Sequence, residues 1–116
     1  LDLDIASRRR AWLTACWLAL SVSTACGTSD SLEAVRQQQA RGGYAETIEP
    51  LRDLLAERPE DGELNYLYGL ALLATGEYGA ATWPLRQAMK DPEWHYPAAM
   101  LIVRGALVSN DFNEVV

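Results

Sequence analysis

The chain has 116 residues, 49% of them hydrophobic and 22% charged, which is enough apolar material for one small globular unit and no more. Ten basic residues against sixteen acidic ones leave a net charge of −6, a poor match to a phosphate backbone, because counterion release needs clustered Lys and Arg. Two Cys and one His exclude a structural zinc site made of protein ligands and a multi-disulfide scaffold.

The basic charge is front-loaded. Arg8-Arg9-Arg10 leads into an apolar run from Ala11 to Val22, broken only by Thr14, Cys16 and Ser21, and then into the small residues Ser23-Thr24-Ala25-Cys26. That order is the order of an export signal: cations hold the cytoplasmic side, an apolar stretch of ~7–15 residues inserts, and small side chains admit the backbone to a peptidase. A spanning helix wants ~20 apolar residues, and Gly27-Thr28-Ser29-Asp30-Ser31 turns polar too soon, so cleavage is favoured over a retained anchor. Ser23-Thr24-Ala25-Cys26 resembles the lipobox of bacterial lipoproteins, although Ser23 stands where Leu is commoner. Leu13-Thr14-Ala15-Cys16 fits the pattern locally but leaves no apolar region between it and the arginines. The resemblance implies lipidation of Cys26, a membrane attachment through it, and a periplasm-facing envelope location. Gly27 after the Cys, rather than Asp, points to the outer membrane. The alternative for both cysteines is that they are small hydrophobes of the signal segment.

Residues 27–31 read as a polar tether. The chain beyond repeats itself with a period of 34: Gly42 falls on Gly76, Tyr44 on Tyr78 and Phe112, Pro50 on Pro84, Leu51 on Leu85, and Arg52 on Arg86. Around Gly76 the apolar residues have helical spacing on both sides: Leu64, Leu67, Tyr68, Ala71 and Leu72 before it, and Tyr78, Ala81, Leu85, Ala88 and Met89 after it. Each unit is predicted to be a helix–turn–helix. Gly76 and Asn110 are expected in left-handed geometry at helix ends, Asp91-Pro92 stops the second helix, and Pro97 opens a further apolar helix through Val108. Pro50 and Pro84 fall inside predicted second helices, where kinks are expected. The units are 32–60, 63–92 and 97–116, the last incomplete.

Gly69, Leu72, Gly76, Tyr78, Ala81, Leu85, Ala88 and Pro92 together resemble the tetratricopeptide repeat. The first unit matches at Gly42, Tyr44, Leu51, Leu54 and Pro59, but has Val35 where the small Gly belongs and Gln38 at an aromatic position. The resemblance implies an all-α fold in which tandem hairpins build part of a right-handed solenoid. It also implies a peptide-binding groove lined by Tyr66, Leu70, Leu73, Met100, Arg104 and Leu107, with Leu32, Arg36 and Gln39 corresponding in the first unit. Leu70, Leu73 and Leu107 fit a core or inter-repeat role equally well. The Lys/Asn set of the carboxylate-clamp subfamily is absent.

No constellation of catalytic residues stands out. His95 has neither a second ligand nor a nucleophile near it in sequence and reads as a packing residue. Glu60-Asp61-Gly62-Glu63 lacks the alternating ligands of a calcium loop and reads as a helix start. Gly42-Gly43 and Gly76 have no phosphate-loop context. The expected function is a lipid-anchored envelope scaffold for protein–protein assembly, with no catalysis, metal or cofactor and with a protein or peptide partner. The alternatives are the docking module of a larger envelope enzyme whose catalytic domain is expected downstream, and a repeat protein held by an uncleaved signal anchor.

Overall fold

The computed structural model describes residues 27–110. Residues 1–26, expected to be the signal segment and holding Cys16 and Cys26, and residues 111–116, with Phe112, lie outside the described residues. The chain divides into two units, Leu1–Asp30 and Ser31–Val116. Of the first, only Gly27–Asp30 is described, as the opening of α1 (Gly27–Ala40). Residues 27–31, which read as a tether, are therefore helical; Asp30 in the first turn suits the positive end of the helix dipole.

The second unit continues as a 3-10 turn (Ala45–Thr47), α2 (Ile48–Glu57), α3 (Gly62–Ala74), α4 (Tyr78–Ala88) and α5 (His95–Ser109), with no strand among the described residues. Its helix ends follow local chemistry. Asp61 caps α3 by accepting a bond from Leu64 N at 3.0 Å, and the buried Asn65 amide donates to the carbonyls of Pro59 and Asp61. At the other end Gly76 takes φ +85°, with Glu77 N bonded to Leu72 O and Gly76 N to Leu73 O. Gly42, 34 residues earlier, takes φ +83° with the same pair of bonds, Gly43 N to Gln38 O and Gly42 N to Gln39 O. Asn110, 34 residues later, closes α5 at φ +62°. The repeat seen in the sequence is thus a repeat of helix-terminating geometry.

The two prolines occupy different places in their helices. At Pro50 the chain enters α2 through the 3-10 turn, so the proline stands in the first helical turn, where its missing N–H leaves no bond unmade. Pro84 is buried inside α4, which continues helical on both sides of it. The carbonyl that loses its partner belongs to Ala80, an exposed residue that water can reach.

Neighbouring helices are set by close contacts. A Cβ on Gly62 would lie 2.6 Å from the Asp91 side chain, and one on Gly69 would lie 2.5 Å from Leu85, so α3 and α4 run antiparallel in close approach. Arg36 pairs with Glu63 at 2.6 Å and Gln39 Nε2 donates to Leu67 O at 3.0 Å, so the second-unit part of α1 runs parallel to α3. Two apolar clusters result. Leu32, Val35, Leu51, Leu54, Leu64, Leu67 and Ala71 form one; Leu72, Ala81, Leu85, Ala88 and Ala98 form the other. Ile48, Tyr66 and Tyr68 pack against both. Helix α3 is apolar on nearly every side because it serves both clusters. Leu51, Leu64, Leu72 and Leu85 are fully buried, each stabilising the fold by roughly 1.5–3 kcal/mol.

Candidate functional site

The residues expected to line a groove divide into three environments. Leu70, Leu73 and Arg104 come together around a cavity of about 300 Å³ between the C-terminal halves of α3 and α5. Its walls are completed by Ala74, Leu101, Gly105 and Val108 from the same helices, and by Tyr44 and Tyr78 from the two hairpin turns. Tyr66 lies elsewhere, its ring 4.9 Å from that of Trp94 and packed against both apolar clusters. Met100 and Leu107 are outside the cavity and exposed on α5. The first-unit counterparts play still other parts. Leu32 is in the core, and Gln39 is buried with its amide donating to Thr47 Oγ1 and Leu67 O. Arg36 is held by Glu63 and Glu33.

Three of the arginines of this unit, Arg36, Arg52 and Arg58, lie within 4 Å of a carboxylate. The Glu63 carboxylate, and after it Glu33, raises the Arg36 guanidinium pKa above its ordinary value, and the Tyr68 hydroxyl does the same for Arg52. Arg58 reaches Asp61 at 3.5 Å. Arg104 has no acidic partner among the described residues. The cavity it flanks is otherwise apolar, apart from the phenol groups of the two tyrosines.

His95 Nδ1–H donates to Met89 O at 2.8 Å and ties the start of α5 to the end of α4. Among the described residues, no group of three or more His, Cys, Asp or Glu side chains is placed to hold a metal ion. None of the described helices is long and apolar enough to cross a membrane. No protein-family model, curated protein or solved structure matches this chain.

The outer face of α5 carries Tyr96, Met100, Val103 and Leu107, which are 76%, 57%, 39% and 61% exposed. Their spacing of four, three and four residues puts them on one stripe, while Ala98, Leu101, Ile102, Gly105 and Ala106 turn inward. Sequence reading placed Met100 and Leu107 in a groove with Tyr66. It missed Val103 and Tyr96, whose shared face shows in their spacing. It also missed Tyr44 and Tyr78 as walls of the cavity, since the repeat marked them only as turn residues.

Proposed function

We propose that this protein is a lipid-anchored scaffold of the bacterial envelope: a Cys26-linked anchor followed by tetratricopeptide-like hairpins that form a stretch of right-handed solenoid and hold a partner protein. The observation that carries the binding role is the apolar stripe Tyr96, Met100, Val103 and Leu107, solvent-facing on a helix whose opposite side is already packed. Contiguous exposed apolar surface of this kind favours association. A partner helix with apolar residues at matching spacing fits it. No catalytic or cofactor role is assigned, because no reacting set of side chains accompanies the stripe.

The support for the anchor is the order of Arg8-Arg9-Arg10, the apolar run and Ser23-Thr24-Ala25-Cys26. Mass spectrometry of the mature N-terminus tests it: a diacylglyceryl group on Cys26 is the expected result, and an intact Arg-rich start overturns it. For the binding role, partner capture is compared between the intact protein and a Met100→Asp/Leu107→Asp variant. The variant is expected to keep its thermal midpoint, since both side chains are exposed, and to lose the partner. Unchanged recovery removes the stripe from the binding surface.

A further inference from the structure

We infer that the cleft between α3 and α5 is a binding site for a small apolar monocarboxylate, with the carboxylate on the Arg104 guanidinium and the hydrocarbon part among Leu70, Leu73 and Val108. The site is separate from the outer stripe of α5 and does not depend on it.

Shifting the α3–α5 interface back by one 34-residue period gives the α1–α3 interface. There, Gln39 stands at the position of Leu73, and its amide is spent on Leu67 O and Thr47 Oγ1. Ala71, fully buried, stands at the position of Gly105. One period later the bridging amide is replaced by the apolar Leu73 side chain and the alanine by Gly105. Leu73 has no polar group to bridge the helices, and Gly105 has no side chain where Ala71 has its methyl group. A Cβ at Gly105 would lie 2.8 Å from Leu73 Cδ2, so the missing methyl group is what lets Leu73 lie as it does. The cleft lined by Leu70, Leu73, Arg104 and Val108 measures about 300 Å³, at the lower end of the ~300–1,000 Å³ typical of small-molecule pockets.

The charge at its edge selects the ligand. Arg36, Arg52 and Arg58 are each within 4 Å of a carboxylate, whereas Arg104 has none among the described residues. A guanidinium offers a planar fork of donors that matches a carboxylate in bidentate fashion. An apolar cleft with one such cation favours a molecule with a single carboxylate at the end of a hydrocarbon body. A neutral apolar molecule leaves Arg104 unused, and a dianion brings a second charge to walls with no second cation.

The test uses the full chain, 4-phenylbutyrate and its neutral analogue 4-phenylbutyramide, followed by backbone amide shifts in NMR titrations. The acid is expected to shift the amides of residues 70–74 and 101–108, and to bind at least about five-fold more tightly than the amide, the scale of a partly exposed ion pair. Arg104→Gln should bring the acid down to the affinity of the amide. Ala74→Phe, a change at an exposed wall position, should weaken both while leaving the thermal midpoint in place. No binding of the acid at millimolar concentration, equal affinity for acid and amide, an Arg104→Gln variant that retains the preference, or shifts that map away from these two segments would each overturn the assignment.

Discussion

Gly69 and Gly76 are each required by a different physical constraint. At Gly69 the constraint is space: a Cβ would meet Leu85 Cδ2 and Cγ at 2.5 Å, and Leu85 is itself fully buried and has nowhere to move. Gly69→Ala should therefore destabilise by about 1–3 kcal/mol through overpacking, read as a lower midpoint in urea unfolding with an unchanged slope. At Gly76 there is open space around the missing side chain, and the constraint is the left-handed backbone at φ +85°. Gly76→Ala should cost about 1–2 kcal/mol by strain alone. Gly76→Asn should cost less, since Asn110 already holds φ +62° at the matching position. The left-handed role of Gly76 was legible in the sequence because it lies between two helical patterns. The role of Gly69 against Leu85 was not, since it depends on how closely two helices approach.

Helices, as elements, were legible wherever apolar residues recurred with helical spacing, and the 34-residue offset located their ends. The turn into α2 was hidden because Pro50 marks where a helix can begin as well as where it bends. What ties α1 to α3 was hidden too. The Gln39 amide reaches Leu67 O and Thr47 Oγ1, while its own Oε1 is buried with no partner. Beside it, Arg36 bridges to Glu63, with the two side chains 45% and 23% exposed. At that exposure a double-mutant cycle over Arg36 and Glu63 should give a coupling below about 1 kcal/mol, shrinking further in high salt. Glu63 raises the Arg36 pKa from an ordinary value that is already very high. Stability from a raised group is complete below its unfolded pKa and lost only above it, so the arginine side of this pair should contribute equally at every pH below about 12. Thermal midpoints of the wild type and Arg36→Ala should keep a constant difference between about pH 7 and 11, and a difference that fades as pH rises through that window would contradict this.

On the scale of the second unit, two small apolar clusters share Ile48, Tyr66 and Tyr68, and neither is thick enough to stand alone. Unfolding is therefore expected in one transition, with far-UV dichroism and fluorescence coinciding. Tyr66→Ala, which also removes the contact with Trp94, should cost about 2–4 kcal/mol and pull the two signals apart. The sequence by itself determined that residues 32–110 are helical hairpins with a period of 34, which residues end them, and that their charge is acidic, because propensity, apolar spacing and turn chemistry are local properties of the chain. Only the tertiary structure decided how the groove candidates divide: Tyr66 into packing, Met100 and Leu107 onto an open stripe, and Leu70, Leu73 and Arg104 around a cavity. That division follows from which face of α5 meets α3 and α4, and that is fixed by contacts between helices that lie far apart in the chain.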